Sequence, residues 1–495
     1  MRKAIVPDHV PTTILHADHL IIATNRGPVE YYRSRDQTLK ARRGAGGVVT
    51  ALLGAMQQIP TTWVALAMTD GDRQAAQEAP AGVLPTSFGD QQMQLRYVVV
   101  PKTVYRLHYD TISNRGLWFL QHYIADYQHG FPSTDTFAAA WERGYQQANQ
   151  AIADAVCAAL ERERNSATVV MLHDYHLYLV PAQIRRCHPW AVLQQFIHIP
   201  WPEVRYWQSF LPNTLMLAIY RGLLGNDIVG FQTQRDVHNF LEGVRTLLAD
   251  AKVEEKAGYI YWQNHRTLVR DYPISIDVSD ERRLVQSATG KRATERIQPH
   301  LGEQTIMRVD RIEPTKNIVQ GFQGYERLLE LHPEVHGRVK FLAFLVPSRQ
   351  SIPAYRHYQA EVLTIIEQIN RRYGRSHWIP IEAFIQNDRL QALAAMQYYD
   401  VLLVNSLIDG MNLVAKEGPI LNQRHGVLVL SRTSGAFQQL ERASIPVTPA
   451  SVEEAAEALY QALTLSSEER ARKAELARQE VEQHDLLTWI AQQVH

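Results

Sequence analysis

The chain has 495 residues, 45% hydrophobic and 21% charged, which suits a globular protein of two or three domains and exceeds one ordinary core. Lys plus Arg and Asp plus Glu both number 51, so the formal net charge is zero; a basic nucleic-acid footprint is excluded, and any phosphate recognition must be local. The only cysteines, Cys157 and Cys187, lack CxxC spacing, and no run approaches the roughly 20 apolar residues of a membrane span, so a disulfide framework, a thiolate metal site and a transmembrane protein are all disfavoured.

The opening MRKAIVPDHVPTTILHADH meets proline and charge before a signal-length apolar segment forms, and a cytoplasmic protein is expected. HLIIAT (19–24) reads as the first buried strand and ends in TNR. ARRGAGGVVTALLGAM (41–56) then sets glycines before an apolar face of Val48, Val49, Leu52, Leu53 and Met56, predicting a helix whose N-terminus could receive an anion. It is not a dinucleotide fingerprint, because Val49 stands where the third glycine belongs and the first strand ends well before Gly44. A glycine-rich surface turn is the alternative for this segment.

An amphipathic helix is predicted over Thr136–Arg162, followed by strands at 167–173, 193–199 and 227–231. DYPISIDVSDERR (271–283) reads as a junction. The second half repeats the pattern, with strands at 305–310, 339–346, 399–405 and 426–431 and a helix over Ala354–Tyr373; the charged, alanine-rich tail after Ser451 reads as helical. Strand–helix alternation with apolar strands argues for α/β domains built on parallel sheets.

Ligands of such sheets bind beyond the carboxyl ends of the strands, so polar residues there carry the most weight. MLHDYH places His173, Asp174 and His176 at one such end, and QFIHIPWP places His198 at the next. The histidine spacing lacks a third nearby ligand, so no metal is expected; His173 and His176 read as structural, Asp174 and His198 as sugar contacts. RVDRIEPTKN sets Arg311 and Lys316 at a strand end, suited to a diphosphate whose charge grows as it leaves, although a pair of exposed surface charges would look the same. VPSRQ adds Arg349. In NSLIDGMNLVAKEGP, Asp409-Gly410 makes a turn, the run from Met411 to Glu417 starts a helix, and Glu417 faces the same cleft as Asp409, suited to vicinal ribose hydroxyls; an exposed helix start is the alternative.

The strings TNRGPVEY, RRGAGGVVTAL, LHDYH, HIPWP, GFQT, RVDRIEPTKNI, PSRQ and DGMNLVAKE, in this order, resemble the retaining glycosyltransferase family of trehalose-6-phosphate synthases from about Ile21 to Leu440. The resemblance implies the GT-B architecture: two Rossmann-like domains facing across a deep cleft, with the last helix crossing back to the first. The expected divisions are an acceptor-binding domain over 1–273, a nucleotide-sugar-binding domain over 274–465, and a returning helix over 466–495. The implied reaction transfers glucose from a nucleoside diphosphate to glucose 6-phosphate, forming trehalose 6-phosphate, with no cofactor or metal.

Carried over by position, Gly46 and Gly47 match the glycines at the donor diphosphate, and Arg311 and Lys316 the basic pair that stabilises it. Asp409, Met411, Asn412 and Leu413 match the loop gripping donor sugar and phosphates, Glu417 the ribose ligand, His198 a donor-glucose contact and Asp174 a contact on sugar hydroxyls in the reaction centre. Arg26, Tyr109, Trp118 and Arg349 match the acceptor-phosphate set. The sequence departs from the family pattern at WVALAMTDGD, which has Leu66 and Met68 in place of a WSG-type string, and at Ser275, Glu313 and Ile408. The donor base (UDP, GDP or ADP) is not read directly. Rival readings are a transferase with another phosphorylated acceptor (glycerol 3-phosphate or a cyclitol phosphate), a catalytically silent homologue, and a two-domain dehydrogenase. Small-molecule substrates are the expected partners, without nucleic acid or membrane; a homo-oligomer is left open.

Overall fold

The computed structural model describes residues 17–34, 36, 38–43, 59–88, 91–127, 131–164 and 166–493. Gly46, Gly47 and the helix expected after them lie outside these residues. Two compact units result, one comprising residues to Tyr272 together with those from Ile490, the other Pro273–Trp489.

The first unit is built on β1 (His19–Thr24), β2 (Thr61–Leu66), β3 (Gln91–Val98), β4 (Thr168–His173), β5 (Val192–Phe196), β6 (Ile228–Phe231) and β7 (His265–Asp271). These lie in the order β7-β6-β5-β4-β1-β2-β3, all parallel, with antiparallel strands Leu84–Phe88 and Lys252–Glu254/Tyr259–Trp262 at the two edges. β1 and β2 are buried along their whole length, which is why their sequences are unbroken apolar runs with threonine or histidine only at the ends. The helix α1 (Gln146–Arg162) covers one face, seating Ala148, Ile152, Val156 and Ala159 at helical spacing against Ile21, Ala23, Val64 and Leu66.

The amphipathic pattern over 136–162 is therefore helical, but not one regular helix. Thr134–Ala140 runs into a wider π-type turn at Trp141–Tyr145 before α1, and a second π segment occupies Leu107–Leu117. The two pack closely: a Cβ on Gly144 would lie 2.4 Å from Leu107 Cβ, so only glycine fits there.

The second unit contains α2 (Val278–Gln286), β8 (Gln304–Ile312), β9 (Val339–Pro347), α3 (Pro353–Tyr373), β10 (Ile381–Ile385), α4 (Arg389–Met396), β11 (Val401–Val404), α5 (Val414–Leu421), β12 (Val427–Ser431), β13 (Ser444–Val447) and α6 (Ser467–Gln483), among other helices. Its sheet runs β10-β9-β8-β11-β12-β13, fully parallel. In order of appearance that is 3-2-1-4-5-6, the doubly wound Rossmann arrangement, and the first unit has the same order extended by one parallel strand. The chain reverses direction of winding between β1 and β4 in one sheet and between β8 and β11 in the other, so each sheet has one switch point.

The expected return at 466 is placed differently. α6 belongs to the second unit, where Ala474, Ala477 and Val481 are buried, Lys473 Nζ donates to Ser444 O (3.0 Å) and Arg470 pairs with Asp400 (2.9 Å). The chain re-enters the first unit only at Ile490, where Gln493 Oε1 accepts from Gln194 Nε2 at 2.9 Å. The charged tail concealed a short alanine face that suffices to hold α6 on its own unit.

Candidate active site

In the first unit the site residues gather at the carboxyl ends of β1, β4 and β5. Arg26 follows β1 in a turn pinned by Thr24, whose Oγ1 donates to Arg26 O (2.6 Å) and accepts from the buried Trp63 Nε1 (2.8 Å). Beside it, His108 and Asn25 bond at 3.2 Å (Nε2 to Oδ1). Tyr109, on the π segment, stacks between Tyr105 (5.4 Å) and His176 (6.0 Å). Trp118 is buried, stacked on His122 at 4.0 Å and tilted against Tyr175 at 5.9 Å. Aromatic contacts thus bring Tyr109 and Trp118 onto the segment that follows Asp174.

Asp174 has φ 73° and ψ 177°, a backbone region otherwise reserved almost entirely for glycine. It is held there on three sides. Its N–H donates to Phe196 O (2.8 Å), its carbonyl accepts from Gln195 Nε2 (3.1 Å), and its Oδ1 accepts from the His198 N–H (3.3 Å). Such strain, maintained by over-determined bonding at a sheet's switch point, marks a side chain whose direction matters. His198 Nε2 lies 3.2 Å from His173 Nδ1. Burial brings His173 down to about 3, while burial and then His173 push His198 well below its ordinary value; both imidazoles are neutral at physiological pH. His173, read from the sequence as a structural histidine, thus lies against His198, while its own buried Nε2 has no hydrogen-bond partner among the described residues.

In the second unit the site forms where β8 and β11 end, at the switch point. The loop after β8 is shaped by Arg308, a fully buried guanidinium that donates to Asp310 Oδ2 (2.8 and 3.0 Å), Lys316 O (3.0 Å) and Ile318 O (3.4 Å). Lys316 Nζ forms an ion pair with Asp409 Oδ2. The same oxygen accepts from Asn412 Nδ2 (3.1 Å) and Ser406 Oγ (3.4 Å). Asn412 takes a left-handed φ of 73°, and Met411 O accepts from Ser434 Oγ and the Ala436 N–H, both at 2.9 Å. The loop can pass so close to its neighbour because residue 435 is glycine: a Cβ there would sit 1.7 Å from Gly410 O.

This corrects the expected helix start. Met411, Asn412 and Leu413 remain loop, and α5 begins at Val414, because the left-handed Asn412 cannot continue a helix. Leu413 O receives the Glu417 N–H at 2.8 Å. Glu417 Oε1 lies 3.4 Å from Arg389 Nη2. Neighbouring Lys416 is buried, donates Nζ to Ile274 O (2.7 Å), and is brought down to about 7 by burial.

Arg311 and Arg349 meet around a residue noted in the sequence only as a departure. Glu313 is fully buried; its Oε2 is 3.2 Å from Arg311 Nη2 and its Oε1 accepts from Ser348 Oγ (2.8 Å). Burial alone would raise this carboxyl, but Arg311, Arg349 and Lys316 outweigh burial and hold it down to about 2. Arg349, with φ 45°, donates Nη1 to Tyr355 Oη (2.6 Å). Three cations, Arg311, Lys316 and Arg349, thus surround one buried anion at the end of β8. Arg308 and Glu313 could have been found in the sequence, since charges within or directly after an apolar strand require partners. The pairing of His173 with His198 had no such signal. Among the described residues, no three His, Cys, Asp or Glu side chains gather as a metal site, and no helix is long and apolar enough to cross a membrane.

Comparison with known proteins matches residues 18–495 to glycosyltransferase family 20. A bifunctional trehalose-6-phosphate synthase/phosphatase of Thermoproteus tenax is 32% identical over 95% of this chain, which spans 62% of that protein's length. The alpha,alpha-trehalose-phosphate synthase [UDP-forming] of Yarrowia lipolytica is 31% identical, covering 92% of this chain and 93% of its own. The validamine 7-phosphate valienyltransferase of Streptomyces hygroscopicus subsp. jinggangensis is 28% identical over 91% and 88% of the two chains. Among solved structures, the E. coli trehalose-6-phosphate protein bound with UDP-2-fluoro glucose superimposes with a TM-score of 0.81 at 25% identity, covering 95% of this chain and 97% of its own.

Proposed function

The chain belongs to glycosyltransferase family 20, and from that premise we propose that it moves glucose from a nucleoside diphosphate to glucose 6-phosphate, yielding trehalose 6-phosphate and the free nucleotide. The observation that carries this reading is the ion pair of Lys316 with Asp409 beside Arg311, placed at the carboxyl ends of β8 and β11 where a doubly wound sheet receives its ligand. In this reading Arg311 and Lys316 take the donor diphosphate and Glu417 the ribose. Asp409 with the backbone of Met411, Asn412 and Leu413 takes the sugar and phosphates, as Gly46 and Gly47 take the diphosphate.

The C1–O bond to the diphosphate breaks, leaving an oxocarbenium-like glucosyl group. The acceptor's anomeric hydroxyl attacks C1 from the same face and passes its proton to the departing phosphate oxygen, so the configuration is retained and no enzyme nucleophile is needed. The protein contributes charge at the leaving group and orientation of the reacting atoms. Lys316 must exchange part of its bond to Asp409 for the phosphate, which frees the carboxylate for sugar hydroxyls. Asp174 and His198 contact the hexose, and neutral His198 does so by hydrogen bonding without adding charge. Arg26, Tyr109, Trp118 and Arg349 bind the acceptor phosphate. The reading invokes no cofactor or metal.

The similarity to the valienyltransferase favours one second reading, a cyclitol phosphate as acceptor. Incubation with UDP-, GDP- or ADP-glucose and with glucose 6-phosphate or a cyclitol phosphate, followed by NMR of the products, separates the two. Absence of an α,α-1,1-linked disaccharide phosphate with every donor would overturn the first.

A further inference from the structure

Glu281 carries a buried carboxyl that the proposed reaction leaves without a role. It lies in the first turn of α2 and is 5% exposed. Its Oε1 forms an ion pair with Arg389 Nη2, while its Oε2 has no hydrogen-bond partner. The same Arg389 nitrogen lies 3.4 Å from Glu417 Oε1. α2, α4 and α5 pack on one another, so three helix beginnings bring two largely buried carboxyls to one guanidinium.

The arrangement is unequal. Arg389 sits closely on Glu281 and only loosely on Glu417. A guanidinium left alone with Glu417 would close on it as a fork, occupying the lone pairs that two vicinal hydroxyls would use. Glu281 draws the guanidinium aside, so Glu417 stays oriented by it but open. Burial and then the Glu417 charge raise the Glu281 carboxyl to about 7, against the pull of Arg389, and burial also raises Glu417. With one cation for two buried carboxyls, Glu281 and Glu417 compete for Arg389, and the geometry gives Glu281 the closer contact.

We propose that Glu281, acting through Arg389, is a positioning residue for donor recognition, holding the Glu417 carboxylate available to the ribose hydroxyls of the nucleoside diphosphate sugar. The proposal rests on the reading of Glu417 as the ribose ligand.

The test is a double-mutant cycle with steady-state kinetics on the full chain. Glu281→Ala raises the donor KM about tenfold and Glu281→Gln about threefold, with kcat and acceptor KM within about twofold of the parent. The parent's discrimination against a 2′-deoxyribose donor shrinks in both. In a Glu417→Ala background, adding Glu281→Ala changes the donor KM by less than about twofold, because nothing remains to be positioned. A folded Glu281→Ala or Glu281→Gln protein with the parent's donor KM overturns the proposal, as does an undiminished effect in the Glu417→Ala background. Should Glu417→Ala itself leave the donor KM unchanged, the ribose assignment falls first, a result distinct from failure of Glu281 alone.

Discussion

Lys316 and Asp409, 93 positions apart, are joined by an ion pair that closes the switch point of the second sheet. Each residue follows a different strand, β8 or β11, so their meeting depends on the 3-2-1-4-5-6 strand order and on no local motif. Asp409 holds the lysine in place before any phosphate arrives, so little ordering cost remains when the diphosphate binds.

Replacing Lys316 or Arg311 by alanine is expected to lower kcat on the order of 100-fold or more at saturating donor, by analogy with lost oxyanion donors. Single-turnover measurement of glucosyl transfer checks this. Retention of near-normal turnover by Arg311→Ala would remove the leaving-group role.

Arg349→Ala should raise the acceptor KM about tenfold or more while leaving the donor KM nearly unchanged, because only the phosphorylated acceptor would lose a charge-assisted bond. Initial rates over varied glucose 6-phosphate decide it. An equal rise for an unphosphorylated acceptor would contradict a phosphate contact.

Asp174 offers a comparison of two inactive variants. Both Asp174→Ala and Asp174→Gly lose the carboxylate, but only glycine tolerates φ 73° and ψ 177° without strain. The glycine variant should be more stable than the alanine variant by about 1–3 kcal/mol in urea unfolding. Equal stabilities would mean that the backbone relaxes once the side chain is gone.

Glu313 ties stability to acid. Its carboxyl is lowered in the folded chain from an ordinary 4.5 to about 2, so the unfolded chain binds more protons between those values. The stabilisation is present above about 4.5 and is lost as the pH falls towards 2, with an upper bound on the order of 3 kcal/mol. Denaturation of the parent between these pH values should be steeper than that of Glu313→Gln. Parallel curves would show that the three cations do not hold this carboxyl down.

Much of the fold was legible because both sheets are covered on both faces. Central strands such as HLIIAT and VLLV are unbroken apolar runs and were legible, although the strand expected over 193–199 ends at Phe196; QQMQLRYV, HRTLVRD, IEAFI and SIPV, which mix polar residues or proline into the run, were not read as strands. The π segments Leu107–Leu117 and Trp141–Tyr145 were not legible; they pack on each other across a sequence gap that no local pattern marks. The late helix start at Val414 was missed for a related reason: the sequence DGMNLVAKE fits a helix from Met411, and only the left-handed Asn412, anchored to Asp409, prevents it. Lone charges at strand ends pointed to Arg311, Lys316, Arg349 and Asp409. The local companions Arg308 and Glu313 were open to the same reasoning, whereas the pairing of Lys316 with Asp409 and of Arg389 with Glu281 and Glu417 emerges only when distant segments are brought together.

The re-entry of the chain at Ile490 has a consequence for how the protein is made. Leu486 N–H donates to Ile276 O (3.0 Å), so the segments that enter and leave the second unit run side by side, as if that unit had been spliced into the first. Gln194 on β5 meets Gln493 only 299 positions later. On the ribosome the second unit has its whole sheet before the first has received this last piece. The half synthesised earlier is thus completed later, and excision between 272 and 490 should release a cassette with adjoining termini.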